Sequence, residues 1–375
     1  MKVVHVEAGR HLYGGALQVV FLLRALAAQP GEEHVLICAP GAAIGQAVRA
    51  LGVRVIELAL GGDADPWMAV RIARVLRAER ADLVHLHSRR GADLWGALAG
   101  RIAGVPVVLS RRVDNPEPRV WVALKYRLAD RVVTISQGIR RVLLAEGVPA
   151  GKVICVPSAV DTGRYRPADD PRSARQALEA EFGLPPGVPV IGMAAQFIPR
   201  KGHRLLLEAL PAVFAQHPDA HFLLFGRGPL TGELQRALAA RRLEGRVRLP
   251  GFRNDLDRWL PALDLLVHPA ALEGLGVTLL QAAACGVAIV AGRAGGIPEI
   301  VRDGENGRLI DPHDAAALAA ALNGLLADAP MRTRMGAAGR AIAERDFSIP
   351  AMVAGNRRVY GELVSISASR KRGFP

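Results

Sequence analysis

The sequence predicts an α/β protein with two doubly wound domains, each built on a parallel sheet. Short apolar runs rich in Val, Ile and Leu alternate with amphipathic runs of helix length. These strand-length runs are apolar throughout, which is typical of parallel strands that helices cover on both faces. The alternation stops between residues 156 and 189, where six prolines fall, and then resumes. A chain of 375 residues is long enough for the two domains that this interruption indicates.

The first predicted domain covers residues 1–165 and opens directly with a strand, so we expect no secretory signal. Its predicted strands are residues 2–6, 34–39, 53–58, 82–86, 105–109, 131–135 and 153–156. Its predicted helices are residues 15–28, 42–50, 66–79, 91–103 and 137–146.

The second predicted domain follows the proline-rich stretch and covers residues 187–347. Its predicted strands are residues 189–194, 220–225, 246–249, 264–267 and 287–291. Its predicted helices are residues 203–216, 230–241, 277–285, 313–327 and 331–345. Residues 348–375 remain as a last helical run with a basic tail. No strand follows this run, so its own pattern allows it to pack on either domain.

Composition disfavours some functions and leaves others open. Half of the residues are apolar and 22% are charged, which is typical of a globular protein. Aromatic residues make up only 5% of the chain, so stacking on single-stranded nucleic acid is disfavoured. A net charge of +13 favours an anionic partner such as a nucleotide diphosphate or a phospholipid surface. An Arg-rich composition without functional meaning explains the charge equally well.

Two further features concern the compartment of the protein. The three cysteines contain no CxxC pair, which predicts reduced thiols in a cytosolic protein and no metal site among them. Residues 274–292 carry no charge over a length that could span a bilayer. Glycines and Gln281 interrupt this stretch, so we predict a core helix followed by a core strand.

Polar residues of the first domain fall where predicted strands end, and ligands of open α/β sheets bind beyond those ends. Gly14 and Gly15 precede a helix and would let a ligand approach the backbone. His85 and His87 point the same way on one strand, but the sequence shows no third ligand for a metal. His87 is the better candidate for a ligand contact, and a core or capping histidine is the alternative.

Two pairs of arginines also end neighbouring predicted strands. Arg89 stands beside Arg90, and Arg111 stands beside Arg112. Paired guanidinium groups at adjacent strand ends suggest an anionic acceptor or a rim that faces a membrane. Solvated loop charge is the alternative interpretation.

Cations and glycines follow the strands of the second domain. Arg200 and Lys201 stand where a loop enters a helix, a position from which cations can clamp a diphosphate. Gly226 and Arg227 follow the next strand, and Phe252 is a candidate wall for a planar base.

The densest motif begins at Glu273, a carboxylate that could orient sugar hydroxyls. A turn of Gly274, Leu275 and Gly276 follows it and leads into a predicted helix. The amides at such a helix start can bind phosphate through the helix dipole.

With these motifs the chain resembles the retaining glycosyltransferases of family four. The segment EGLGVTLLQAAACGVAIVAGRAGGIPEIV is similar to the family's E-x7-E segment and the GGxPE loop that follows it. Gly14-Gly15, His87, Lys201-Gly202 and residues 225–229 and 303–307 support the match, which covers essentially the whole chain. The resemblance implies the GT-B fold, with two Rossmann-like domains facing a cleft and a last helix that crosses back to the first domain.

The resemblance also implies roles, with the nucleotide sugar on the second domain and the acceptor on the first. The candidate catalytic residues are His87 and Glu273. The candidate donor-binding residues are Gly15, Gln196, Arg200, Lys201, Gly226, Arg227, Phe252, Gly274, Leu275, Gly276, Val277, Thr278 and Gln281. The candidate acceptor-binding residues are Arg89, Arg90, Arg111 and Arg112.

We expect no metal and no cofactor beyond the nucleotide-diphosphate sugar. Cations and amide dipoles placed where charge develops can stabilise a leaving diphosphate by themselves. The segment Asp63-Ala64-Asp65 resembles a metal-binding DxD motif. It lies in a polar loop far from the other motifs, so we predict a plain loop there.

The sequence departs from the family pattern at two positions. Gln281 replaces the second acid of the E-x7-E segment, which usually holds the ribose hydroxyls. A Gln side chain still donates and accepts hydrogen bonds, although it also fits a capping box that begins at Thr278. Gln196 replaces the usual diphosphate-binding Arg, and either Arg200 or Arg227 is positioned to supply the missing charge.

Together these observations predict transfer of a sugar from a nucleotide-diphosphate donor to a hydroxyl acceptor, with retention at the anomeric carbon. The double-Arg loops suggest a glycolipid or cell-envelope acceptor, such as lipopolysaccharide core. We expect a cytoplasmic protein that binds no nucleic acid, with a peripheral position on the inner face of a membrane as an open alternative. The competing functions are a nucleotide-sugar 2-epimerase of the same fold and a non-catalytic protein that binds polyanions or membranes.

Overall fold

The computed structural model describes residues 1–12, 14–89, 91–115, 117 and 119–372. The chain forms two compact units. The first unit is Met1–Ala159 together with the chain from Ile349 onward, and the second unit is Val160–Ser348.

The first unit contains a seven-stranded parallel sheet in the order β3-β2-β1-β4-β5-β6-β7. Its strands are β1 Lys2–Glu7, β2 Glu33–Cys38, β3 Arg54–Glu57, β4 Leu83–Leu86, β5 Val107–Arg111, β6 Arg131–Thr134 and β7 Val153–Cys155. Its helices are α1 Gly14–Ala27, α2 Ala43–Arg49, α3 Trp67–Ala78, α4 Ala92–Ala103, α5 Arg119–Leu128, α6 Gln137–Ala145 and α15 Ile349–Arg372. The strand order reverses between β1 and β4, which is where open α/β sheets bind ligands.

The second unit contains a six-stranded parallel sheet in the order β10-β9-β8-β11-β12-β13. Its strands are β8 Val190–Ala194, β9 His221–Phe225, β10 Val247–Gly251, β11 Leu265–His268, β12 Ile289–Gly292 and β13 Gly307–Ile310. Its helices are α7 Pro171–Phe182, α8 His203–Gln216, α9 Thr231–Ala240, α10 Leu256–Trp259, α11 Val277–Ala284, α12 Ile297–Ile300, α13 Ala315–Ala327 and α14 Ala329–Asp346. Here the order reverses between β8 and β11.

The prediction of two doubly wound parallel-sheet domains is confirmed. Strands β1, β4, β8 and β11 are buried along almost their whole length, because helices cover both faces of each sheet. Among the residues described, no helix is both long and apolar enough to cross a bilayer. The uncharged stretch 274–292 consists of α11 and β12, as predicted.

The proline-rich stretch is not a plain linker, because it contains helix α7. Asp170 caps this helix by accepting hydrogen bonds from the backbone N–H groups of Arg172 and Ser173, and Pro171 occupies the first turn. The same prolines that suggested irregular structure therefore include one at a favourable helix start. Helix α5 and the short strand β13 were also missed.

The last helix, α15, packs within the first unit, against α1 and β4. Met352, Val353 and Tyr360 join Val3 and Phe21 in one apolar cluster there. The polar end of Tyr360 also reaches a histidine of the sheet, so this helix contributes to the polar interior as well as to the core.

Candidate active site

In the second unit, two cationic or polar side chains hold Glu273 where the strand order reverses. Glu273 lies in the loop between β11 and α11, and Lys201 lies just before α8. Lys201 Nζ is 2.5 Å from Glu273 Oε2, and His268 Nε2 is 3.0 Å from the same oxygen. Three separate segments of chain therefore converge on one carboxylate.

Two glycines make this convergence possible. Gly202 has a φ of 79°, and a Cβ there would lie 2.0 Å from the carbonyl oxygen of Pro269. Gly295 has a φ of 53°, and a Cβ there would lie 1.9 Å from the carbonyl oxygen of Glu273. Any larger residue would push these loops apart, so only glycine fits at Gly202 and Gly295.

Glu273 is ionised although it is largely buried. Burial alone would raise its pKa, but the hydrogen bond from His268 and the charge of Lys201 outweigh burial and lower the pKa to about 2. Both contacts use Oε2, and no described residue forms a hydrogen bond with Oε1. The carboxylate is therefore a permanent acceptor that cannot serve as a general acid near neutral pH.

Two histidines beside Glu273 have buried ring nitrogens without a hydrogen-bond partner among the described residues. One is His268, whose Nδ1 is unpaired and whose Nε2 carries a proton because it donates to the Glu273 carboxylate. His203 packs edge-on against Phe197 with ring centroids 4.8 Å apart. Burial, and then the neighbouring His268 and Lys201, lower the pKa of His203 to about 4.

Four other predicted donor-binding residues of the second unit are exposed to solvent. Gln196 and Arg200 are exposed beyond the end of β8. Arg227 is exposed beyond β9, next to the half-buried Gly226, and its guanidinium carbon lies 5.3 Å from the ring centroid of Phe252. Phe252 is itself 59% exposed, which leaves an aromatic face and a cation open to a ligand.

Helix α11 begins directly behind Glu273. Its first residue is Val277, and Gly276 occupies the N-cap position without any side-chain cap. The capping box predicted at Thr278 is therefore wrong, because Thr278 lies inside the first turn. Gln281 is half-buried on this helix and does not cap it. The amides of Leu275, Val277 and Thr278 stand at a helix start, where backbone N–H groups lack intrahelical partners.

In the first unit, His87 follows β4 and is buried in a group of histidines. His87 Nε2 is 2.9 Å from His5 Nδ1, and the rings of His85 and His87 have centroids 3.8 Å apart. Burial, together with nearby positive charge, lowers the pKa of all three well below its usual value. His5, which lies on β1, supplies the third imidazole that the sequence analysis did not find beside the HxH pair.

His85 and Arg112 complete this group. His85 Nδ1 is 2.6 Å from the hydroxyl of Tyr360 on α15, and His85 Nε2 is 2.8 Å from Ser110 Oγ. Arg112 lies close enough to lower the pKa of His85 and His87, and its side chain passes 3.4 Å from the position of a Cβ on Gly15. The structure thus brings together Gly15, His87 and Arg112.

The other arginines predicted to bind the acceptor are in different surroundings. Arg111 is buried and its guanidinium pairs with Glu117 at 2.7 Å, while Arg89, about half exposed, reaches the same oxygen at 2.8 Å. Lys125 binds the second oxygen of Glu117 at 2.7 Å. Arg111 therefore serves an internal ion network, and Arg90 lies outside the described residues.

The DxD-like segment forms a turn before α3, as predicted. Asp65 accepts a hydrogen bond from the amide of Gly61 and pairs with Arg71. This carboxylate is therefore engaged by its own loop.

Comparisons with known proteins identify the family of this chain. The description "Glycosyltransferase Family 4" matches residues 13–164, and "Glycosyl transferases group 1" matches residues 174–342. The fold class is thus GT-B, and the enzyme class is glycosyltransferase. The chain belongs to glycosyltransferase family 4.

Two curated relatives and one solved structure illustrate the family. One relative is a GDP-mannose-dependent alpha-(1-6)-phosphatidylinositol monomannoside mannosyltransferase of Mycolicibacterium smegmatis. It is 30% identical to this chain over 74% of this chain and 75% of its own length. The lipopolysaccharide core biosynthesis glycosyltransferase LpsE of Rhizobium meliloti is 28% identical over 93% of this chain and 95% of its own. The structure of Anabaena HepE in complex with UDP matches 96% of this chain and 100% of its own, with a TM-score of 0.85 and 21% identity.

Proposed function

We propose that this glycosyltransferase moves a sugar from a nucleotide-diphosphate donor to a hydroxyl of a lipid-linked glycan, with retention at the anomeric carbon and without a metal. In this proposal the second domain binds the donor and the first domain binds the acceptor. The single observation that carries it is Glu273, held ionised between Lys201 and His268.

Glu273 suits a sugar because it offers an acceptor that never protonates near neutral pH. Lys201 and His268 both use Oε2, so Oε1 is the oxygen that a sugar hydroxyl would reach. A hydrogen bond between a hydroxyl and a carboxylate is about twice as strong as a neutral one. Lys201 and His268 fix the orientation of the carboxylate before the ligand arrives, which lowers the entropic cost of binding.

Lys201 suits the leaving diphosphate for a complementary reason. An ammonium group has three donors, and Glu273 takes one of them, so two remain for phosphate oxygens. The helix start at Val277 adds amide dipoles directed at the same side of the loop. Negative charge grows on the diphosphate as the glycosidic bond breaks, and these groups stabilise that charge.

Gln196 stands where the family usually has a diphosphate-binding Arg, so another residue must supply that positive charge. Gln196 carries no charge, so we assign the second cation to Arg200 or Arg227, which are both exposed beyond strand ends of the second unit. Arg227 and Phe252 form an open cation–aromatic pair. Such a pair can stack on a nucleobase, so we assign base selection to Arg227 and Phe252.

On the first domain, we assign the acceptor to His87, Gly15 and Arg112. Arg112 takes precedence over Arg111, whose guanidinium is already paired with Glu117. A lipid-linked acceptor is supported by the names of the mycobacterial and rhizobial relatives, which act on phosphatidylinositol monomannoside and in lipopolysaccharide core biosynthesis. An anionic membrane surface would also attract a chain with a net charge of +13.

A thermal-shift panel of UDP-, GDP-, ADP- and dTDP-sugars tests the donor. We expect one nucleotide to raise the melting temperature in proportion to the logarithm of its concentration. Transfer to a glycolipid acceptor is then followed by NMR of the anomeric proton in the product. An inverted configuration would rule out the retaining mechanism, and stabilisation by polyanions alone would rule out the donor assignment.

Family membership sets aside the non-catalytic alternative. The 2-epimerase alternative predicts a nucleotide and a sugar of changed configuration when donor is incubated without any acceptor. Strict dependence of nucleotide release on acceptor, beyond slow hydrolysis, supports transfer instead.

A further inference from the structure

Three side chains, those of Glu32, His34 and His5, connect the surface of the first unit to His87 in a line across three neighbouring strands. Glu32 Oε2 lies 3.5 Å from His34 Nε2, and His34 Nδ1 lies 3.1 Å from His5 Nε2. His5 Nδ1 then lies 2.9 Å from His87 Nε2. The three histidines follow the sheet order β2, β1, β4, so each of the two steps between them joins adjacent strands.

The two ends of this line differ. Glu32 and His34 border a surface pocket of about 330 Å³, and Arg357 of α15 binds the other oxygen of Glu32 at 2.7 Å. At the other end, His87 Nδ1 is buried without a hydrogen-bond partner among the described residues. A buried polar atom left unpaired carries a cost that proteins usually avoid, except where a ligand completes the bond.

The same imidazoles form a group compact enough for a metal ion, since His5, His85 and His87 each offer a nitrogen within 4.8 Å of the others. Two features argue against that use. Both nitrogens of His85 already bond to Tyr360 and Ser110. The guanidinium of Arg112 is also near, and a second cation in a dry interior would be repelled.

Neutral imidazoles in a line share a single direction of hydrogen bonding, because each has one N–H and one lone pair. If His34 carries its proton on Nε2, then His5 and His87 must also carry theirs on Nε2. The opposite direction would place a proton on every Nδ1. The carboxylate of Glu32 lies 3.5 Å from His34 Nε2, which is an ion-pair distance and not a formed hydrogen bond. Its negative charge favours a proton on that nitrogen, which selects the first arrangement.

We propose that Glu32, His34 and His5 are positioning residues that set the tautomer of His87, with its proton on Nε2 and an unpaired acceptor at Nδ1. The use of that acceptor rests on the proposed function: Nδ1 would accept a hydrogen bond from a hydroxyl of the reacting sugars. Glu32 thus controls, through three hydrogen-bonded rings, whether His87 offers a lone pair or an N–H group.

NMR of the full-length protein labelled with ¹⁵N-histidine tests the tautomers without any substrate. We expect His5, His34 and His87 to show the Nε2–H pattern. Glu32→Gln should give a mixture at His87, because an amide can donate or accept, while Glu33→Gln on the exposed neighbour should change nothing at His87. His34→Asn, which breaks the line at its second member, should also give a mixture.

Three results would overturn the proposal. They are an Nδ1–H pattern at His87 in the unaltered protein, an unchanged His87 in folded Glu32→Gln and His34→Asn proteins, and simultaneous shifts of His5, His85 and His87 on adding Zn²⁺. The last result would show a metal site instead.

Steady-state transfer assays of the same variants test the link to function. If two tautomers become equally populated, kcat should fall about twofold or more while donor affinity stays unchanged. A tautomer mixture with unchanged kcat would leave the control by Glu32 standing and would remove His87 from the transfer step. Loss of donor binding in Glu32→Gln would instead contradict the separation of roles between the two domains.

Discussion

The polar group in the second unit is charged, whereas the larger polar group in the first unit is built around neutral imidazoles. Glu273 keeps its negative charge because Lys201 and His268 bind it directly. His5, His85 and His87 are deeper, and each keeps a single ring proton because burial disfavours the charged form. A charged group suits a ligand that leaves as an anion, and a neutral group suits a ligand that offers hydroxyls.

Removing the negative charge of the second unit should have the largest effect. Glu273→Gln keeps the shape of the side chain, so we expect kcat for transfer to fall on the order of 10²–10³-fold. Glu305→Gln, on an exposed turn of the same unit, is the matched control and should retain activity. Full turnover by folded Glu273→Gln protein would remove Glu273 from the site.

Removing the cation should act on donor binding first. A hydrogen bond to a charged group contributes about 1.5–3 kcal/mol, so Lys201→Met should weaken donor binding roughly tenfold to a hundredfold, measured by calorimetry. Arg204→Met, which removes an exposed cation of α8 that pairs with Glu233, serves as control. Equal losses in both variants would mean that only the overall charge of the unit matters.

The neutral group should make the first unit more sensitive to acid than the second. A histidine with a lowered pKa stabilises the fold above its unfolded pKa of about 6.5 and loses that contribution as the pH falls toward the folded pKa. From pH 6.5 to 5.5 each such histidine costs about 1 kcal/mol. The first unit has His5, His85 and His87, and burial also lowers the pKa of His34 there. The described part of the second unit has His203, whose pKa is about 4.

Hydrogen exchange measured strand by strand, corrected for intrinsic rates, checks this difference. Protection of β1 and β4 should fall by at least about 2 kcal/mol more than that of β8 and β11 over the same pH interval. Glu273 does not change the stability of the second unit over this interval, because its stabilising contribution is lost only as the pH falls from about 4.5 toward 2. Equal losses in both sheets would contradict the neutral state of the three imidazoles.

The strands and the Glu273 loop could be predicted from the sequence because their signals are local. Apolar runs mark β1 and β8, and the EGLG and GG motifs lie close to the carboxylate that they shape. Helix α7 could also have been found from Asp170 followed by Pro171, a favourable helix start. The other prolines of this stretch indicate irregular structure and so obscure the signal for a helix start.

The histidine line could not be predicted because its members meet only through the sheet order. His34, His5 and His87 are separated by up to 82 residues and become neighbours because β2, β1 and β4 are adjacent. The pairing of Arg111 with Glu117 joins residues close in sequence, but no pattern in the sequence marks it. Sequence spacing identifies residues at strand ends, but only tertiary packing decides which of them remain available to a ligand.

The smallest expected effect concerns Gln281, the residue that departs most clearly from the family pattern. Gln281→Glu would restore a carboxylate on α11, where the side chain is half-buried and has no capping role. A carboxylate accepts from two ribose hydroxyls more strongly than an amide does, so nucleotide affinity should rise by up to about tenfold with kcat nearly unchanged. Weaker nucleotide binding would mean that Gln281 donates a hydrogen bond that an acid cannot supply, and that this enzyme selects its nucleotide by a contact its relatives lack.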